Sequence, residues 1–170
     1  EYILNVILEI LVRKKIRARL GGRLKYFISG GAPLNPEVGN FFMALGVNLL
    51  QGYGQTEASP LISANRPSLI KIDTVGPPVD GVELRISGDG EILVRGEMLI
   101  KGYWRDPATT AGVIKNGWLY TGDIGHFDKG FLKITDRKKD ILITPGGDNI
   151  SPVKIENDLI KIDFIEQALV

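Results

Sequence analysis

An α/β portion followed by a β-rich portion is the fold class the sequence predicts, on three observations. Two short apolar runs, 24–29 and 47–50, each end in a glycine turn, and a punctuated helical stretch joins them. That is a strand–helix–strand pattern whose loops lie at strand ends, where a ligand is met. From Thr74 onward the runs become short, alternating and broken by Gly and Pro. A charged cluster at 136–140 then precedes a new helix start at Ser151-Pro152. These boundaries divide the chain into 1–73, 74–135 and 136–170, the last an incomplete unit.

Taken in order, Ile3, Leu4, Ile7, Leu8, Leu11, Val12, Ile16 and Leu20 recur at spacings of three and four, which marks one face of a helix that stops at Gly21-Gly22. Ordinary core packing of that stripe is expected. Seven cations between Arg13 and Lys25 form the other face, and a membrane-surface helix is the lesser alternative. The strand at 24–29 is followed by a helix with Asn35 as cap, Pro36 in its first turn, Val38, Phe42 and Leu45 on its apolar face, and Gly46 as stop. Val82, Leu84 and Ile86 alternate before the turn Gly88-Asp89-Gly90, and Ile92 and Val94 after it, which predicts a hairpin. Asp106-Pro107 starts a short helix; 118–121 and 131–135 read as further strands, and Ile155, Leu159 and Ile162 share one face of the last helix.

Composition removes whole classes of function. The 170 residues carry 21 Lys and Arg against 20 Asp and Glu, so no global charge attracts nucleic acid. With no Cys and a single His126, thiolate metal sites, Cys nucleophiles and His clusters are excluded. The apolar run from Tyr2 to Val12 is broken by Asn5 and Glu9 and is well short of the roughly 20 residues a transmembrane helix needs. A reducing cytosol fits, and peripheral membrane attachment stays open. The chain begins without Met and stops inside an apolar stretch, which suggests a piece of something longer. Glycine is in excess, with 21 residues, and none of them spells GxGxxG after a strand, GxxxxGK[ST] or GxSxG.

Dispersed polar groups at strand ends remain. Gly30 and Gly31, followed by Ala32, let a planar ligand approach the backbone, although a tight turn without ligand explains them as well. Gly52 and Gly54 flank Tyr53, whose ring can lie on a base. Next to them Thr56 offers a hydroxyl to a phosphate and Glu57 a carboxylate to a hard cation; a helix cap is the structural alternative. Asp123, in a glycine-flanked loop, can accept from both hydroxyls of a ribose, or simply make a turn. Arg137 can donate to ribose or phosphate oxygens, or belong to a solvated linker with its neighbours at 136–140. His126 reads as a surface turn rather than a group with a chemical role.

In this order, SGGAPL at 29–34, QGYGQTE at 51–57, GEILVRGEMLIKGYW at 90–104, GWLYTGD at 117–123 and DRKKDILITPGGDNISPVKIE at 136–156 resemble the adenylate-forming acyl-CoA synthetases. SPLISANRP at 59–67 leans toward the long-chain fatty acid–CoA ligases. The resemblance implies an α/β sheet portion, a small β-barrel-like subdomain and the start of an α+β C-terminal domain. It also implies ATP, a fatty acid and coenzyme A as substrates, with Mg²⁺ as cofactor. By the same resemblance Gly30, Gly31 and Ala32 line the adenine site, and Gly52, Tyr53 and Gly54 cover the base. Thr56 meets the α-phosphate, Glu57 holds Mg²⁺, Asp123 takes the ribose hydroxyls and Arg137 contacts the ribose. Lys139 is the hinge, and Gly146 and Gly147 belong to a loop, stiffened by Pro145, that moves toward the pantetheine tunnel. The family's phosphate loop and its late catalytic Lys do not occur in these residues. An adenylating ligase for another acid, and a non-catalytic nucleotide-binding or interaction module, are the alternatives.

Overall fold

The computed structural model describes residues 2–143, 146, 149–162 and 164–170. They form two compact units, each assembled from separate stretches of chain. The first comprises Glu1–Glu83, Gly96–Lys101 and Phe127–Lys133, and the second Leu84–Arg95, Gly102–His126 and Ile134–Val170.

The first unit opens with α1 (Tyr2–Leu8), a π-helical turn (Glu9–Arg13) and α2 (Lys14–Arg19), so the expected helix is present with its stop at Gly21 and Gly22, both at positive φ. Its expected packing is not. Ile3 is 74% exposed and Leu11 57%, and no residue of the helical stretch is buried. The reason is that the basic side makes the contact. Arg13 Nε donates to the Ala44 carbonyl at 2.7 Å, and a Cβ built on Gly46 would lie 2.6 Å from an Arg17 guanidinium nitrogen, so the arginines occupy the ground the stripe was expected to cover. Glu9 accepts from Arg17, and that bond first of all draws its carboxyl below the ordinary range.

β1 (Tyr26–Ser29) pairs in parallel with β2 (Asn48–Tyr53), with Tyr26 opposite Asn48 and Ser29 opposite Gln51, and β2 pairs antiparallel with β3 (Ser63–Ala64). α3 (Pro36–Ala44) connects β1 to β2, as the punctuation required: the Asn35 side chain accepts from the Glu37 N–H at 2.8 Å, and Gly46 takes φ +74° past the helix end. Gly39, the buried residue of α3, lies where Ile72 leaves no room for a Cβ. In the core of this unit Ile62 and Ala58 are fully buried, and Val47, Leu49 and Tyr53 nearly so. A fully buried aliphatic side chain of this kind contributes about 1.5–3 kcal/mol.

In the second part of the chain, β4 (Glu83–Ile86), β5 (Glu91–Arg95), β7 (Trp118–Asp128) and β6 (Ile114–Lys115) lie in that order in one sheet, with β8 (Phe131–Arg137) paired to β7. The expected hairpin closes where the sequence placed it, the Gly90 N–H donating to the Ser87 carbonyl at 3.0 Å. α4 (Pro107–Val113) is capped by Asp106, which accepts from the Thr109 N–H at 2.9 Å. Two strands are longer than expected. β7 runs through 122 to Asp128 and β8 continues to Arg137, so His126 is an exposed strand residue. β9 (Leu142–Ile143) pairs with β10 (Asn149–Ile150), and α5 (Pro152–Leu159) starts at Ser151, whose hydroxyl accepts from the Lys154 N–H at 3.2 Å. No helix of the described residues is long and apolar enough to cross a membrane.

The tip of the β7–β8 hairpin is tied within the first unit by two ion pairs. Lys133 Nζ donates to Asp73 Oδ2 at 2.9 Å, and Lys71 pairs with Asp128. Each lysine bond, the largest influence in both cases, pulls its aspartate below the ordinary 3.8. A carboxyl lowered by folding stabilises fully above its unfolded value and loses that contribution as pH falls through the folded one. The thermal midpoint of the chain is therefore expected to stay level around neutrality and to drop on acidification below about 4. Asp73→Asn with Asp128→Asn should lower the midpoint at pH 7 and flatten the acid limb. An acid limb unchanged by the double substitution would remove these pairs from the account.

Candidate nucleotide site

Two clusters of candidate residues take shape, one in each unit. In the first, the ends of β1 and β2 lie side by side, so that a Cβ on Gly30 would stand 3.2 Å from the Gly52 carbonyl oxygen. Gly31 has φ +82° with open space around it, so its requirement is conformational. Gly30, Gly31 and Ala32 are all exposed. Gly54 is held for a different reason: any Cβ there would collide with the Pro60 carbonyl, which makes it a packing glycine whether or not a ligand approaches. Tyr53 is 8% exposed, and Gln55 Nε2 donates to its hydroxyl at 3.4 Å.

Thr56 opens a single 3₁₀ turn, Thr56–Ala58, and is exposed. The cap reading does not hold: the residue before the turn is Gln55, and no side-chain bond caps it. Glu57 is half-buried, and its carbonyl accepts from the Ile100 N–H at 2.9 Å, which fastens the turn to the 96–101 segment. Magnesium takes one or two carboxylates and completes its shell with phosphate oxygens and water. A single carboxylate beside an exposed hydroxyl fits that donor set. No cluster of three or more His, Cys, Asp or Glu among the described residues forms a protein-only cage.

The second cluster is built by an irregularity in β7. Pairing with β5 sets Glu91 opposite Ile124 and Leu93 opposite Tyr120, so three residues of β7, at 121–123, face one residue of β5. Gly122 permits this with φ +72°. The bulge is stitched at both sides. The Thr121 hydroxyl donates to the Ile92 carbonyl at 2.7 Å and accepts from the Asp123 N–H at 3.1 Å, while the Gly122 N–H donates to Glu91 Oε1 at 2.9 Å. Bulges of this kind re-aim a side chain. Asp123, expected in a loop, is thus a strand residue, 8% exposed, and its Oδ1 lies 3.2 Å from Arg137 Nε at the end of β8.

Two residues assigned to the ribose from separate motifs are therefore paired with each other. Beside them, Thr121, Gly122, Arg137, Lys138 and Lys139 line a hollow of about 380 Å³. Gly146 is exposed, and Pro145 and Gly147 lie outside the described residues. Glu91, Thr121 and Lys138, which sequence reasoning missed, adjoin these candidate residues. The alternation drew attention only to Ile92 and Val94, yet residues 91–94 are all buried, so period-two patterning carries no signal for Glu91.

A parallel strand–helix–strand segment with a glycine-rich strand-end cluster, followed by a bulged sheet presenting an Asp–Arg pair, is the arrangement of a piece of an adenylate-forming ligase. The chain belongs to the family of AMP-binding enzymes, whose sequence profile matches residues 2–104. It is 43% identical over 167 residues to a long-chain-fatty-acid–CoA ligase, FadD15, of Mycobacterium bovis, a match covering 98% of this chain and 28% of that protein. Against human long-chain-fatty-acid–CoA ligase 1 it is 37% identical over 180 residues, covering 98% of this chain and 26% of that one. Among solved structures, o-succinylbenzoate CoA synthetase (MenE) of Bacillus subtilis in complex with the acyl-adenylate intermediate OSB-AMP superposes with a TM-score of 0.79 at 28% identity. The match covers 93% of this chain and 36% of that one. The amide bond synthetase McbA of Marinactinospora thermotolerans gives 0.71 at 36% identity, covering 84% and 32%. The chain spans about a quarter of the length of the curated relatives it matches.

Proposed function

We propose that this chain is the nucleotide-handling segment of an ATP-dependent fatty acid–CoA ligase. The activity is assigned to a full-length protein containing it, because the phosphate loop and the late lysine that the chemistry calls on are not among these residues. The observation that carries the reading is the pairing of Asp123, on the β7 bulge, with Arg137 at the end of β8, next to an open hollow. It is supported by the relatives named as long-chain fatty-acid–CoA ligases.

In the first half-reaction a fatty-acid carboxylate oxygen attacks the α-phosphorus of ATP, the bond to the β-phosphate breaks, and pyrophosphate leaves. In the second, the coenzyme A thiol attacks the acyl carbonyl and AMP departs. In this reading Gly30, Gly31 and Ala32 receive the adenine, and Gly52, Tyr53 and Gly54 form the adjoining wall. Thr56 donates to an α-phosphate oxygen. Asp123 accepts from the ribose hydroxyls, and Arg137 exchanges part of its bond with Asp123 for one to the ribose. Magnesium, held by Glu57 together with the phosphates, would supply charge neutralisation. Residues 1–73, 74–135 and 136–170 correspond to the end of the large α/β domain, a small β-barrel-like subdomain, and the start of a mobile C-terminal domain whose hinge is Lys139. A cytoplasmic location, with or without membrane attachment, fits these substrates.

The test is pyrophosphate release by the full-length protein against acids of increasing chain length. Release with long acyl chains and coenzyme A–dependent turnover are expected. Glu57→Gln should shift the magnesium requirement upward and weaken Mg²⁺ binding to the ATP complex by calorimetry. No release with any acid, alongside intact ATP binding, would indicate a non-catalytic nucleotide module instead. Release confined to short or aromatic acids would overturn the fatty-acid assignment alone.

A further inference from the structure

Beyond the Arg137–Asp123 pair, the segment 136–140 is fastened at Lys138, which is not the residue the family resemblance singles out. Lys138 Nζ lies 2.7 Å from Asp89 Oδ2 in the β4–β5 turn and 2.7 Å from Glu91 Oε2 at the start of β5. Its own N–H donates to the Gly122 carbonyl at 2.8 Å, and Gly122 in turn donates to the other oxygen of Glu91. Glu91 is the buried member, its side chain only 6% exposed. Lys138, Gly122 and Glu91 make a closed circuit, from hinge backbone to bulge, bulge to buried carboxylate, and carboxylate to hinge side chain, with Asp89 as a second acceptor for the lysine. Hydrogen bonds to Asp89 and then Glu91 hold the Lys138 ammonium above its ordinary value, and the bond from Lys138 holds Asp89 below its own. One residue further on, Lys139 is exposed, and its side chain has no partner among the described residues.

We propose that Lys138 is a positioning residue that ends the rigid part of the molecule. Its clamp to Glu91 and Asp89 keeps everything up to 138 fixed to the β-rich sheet, so that rotation of the following domain begins at Lys139 and leaves Arg137 beside Asp123. This rests on the proposed adenylation and thioester reactions for its consequence, though the clamp itself does not. A swivel works only if one side of it is held. Because Glu91 bonds to the bulge with one oxygen and to Lys138 with the other, the clamp also fixes the bulge that aims Asp123. Losing it should therefore loosen the ribose contacts and the start of the rotation together.

The test has two arms. In the chain as it stands, Lys138→Met should speed amide exchange at Lys138 and Gly122 by about tenfold or more, since a charge-assisted bond to a buried carboxylate is lost, and Lys138→Arg should largely prevent this. In the full-length protein, Lys138→Met should raise the KM for ATP and slow thioester formation more than adenylate formation, with Lys138→Arg restoring the balance. Unchanged exchange in the methionine variant overturns the clamp, whatever the enzyme does. Faster exchange with both half-reactions reduced by one common factor, or with neither reduced, overturns its role in the rotation while leaving the proposed function standing. If the unsubstituted full-length protein forms no adenylate, the proposed function fails and the rotational role fails with it, whereas the exchange result still decides whether the clamp exists.

Discussion

Lys139→Pro in the full-length protein should leave pyrophosphate release from ATP and fatty acid measurable while cutting acyl-CoA formation by roughly a hundredfold, the scale on which small misplacements act in catalysis. The cause is local. Proline fixes φ near −65° and restricts the residue before it, here Lys138, so the dihedral that the proposed hinge would change between two arrangements is frozen in one. The turn around the position is already tight, with the Asp140 N–H donating to the Arg137 carbonyl at 2.9 Å. The two half-reactions would be measured separately on protein with unaltered circular dichroism. Equal loss in both, or loss in neither, would show that the rotation does not pivot at Lys139.

Asp123→Ala is expected to weaken ATP binding strongly while sparing the fold. A carboxylate accepting from two ribose hydroxyls loses about 1.5–3 kcal/mol per bond on removal, which is roughly ten- to a hundredfold in Kd for each. The strand survives because Thr121 holds the bulge through the Ile92 carbonyl and the Asp123 N–H, and both bonds remain in the alanine variant. Arg137 loses its 3.2 Å partner but is half-exposed and can turn to solvent. Calorimetric titration with ATP, paired with a thermal melt, decides the matter. An unchanged Kd with an unchanged midpoint would take Asp123 out of the site.

What the sequence made legible is what local chemistry dictates. Asn35-Pro36, Asp106-Pro107 and Ser151-Pro152 each begin a helix, because a short polar side chain followed by proline satisfies the open amides of a first turn. The Gly88-Asp89-Gly90 turn is equally local. Features that depend on a distant strand stayed hidden. Gly122 reads as a strand breaker, yet β7 continues through it because Glu91 and Ile92 of a neighbouring strand supply the partners for its displaced groups. The apolar stripe of the first helix was legible as a stripe. Which neighbour it meets depends on Arg13 and Arg17 reaching Ala44 and Gly46, and no periodicity encodes that. Lys138 sat inside a charge run and looked like its neighbours until Glu91 was found buried beside it.

The interleaved make-up of the two units bears on how the chain can be born. The first unit is not complete until Lys133 has left the ribosome, 50 residues after Glu83, and the strands of the second are begun in the interval. At synthesis rates of about 5–20 residues per second, Lys71 and Asp73 are made some 3–12 s before their partners Asp128 and Lys133. Closing the first unit during translation therefore requires the late tip of the β7–β8 hairpin to reach Lys71 and Asp73, residues made well before it.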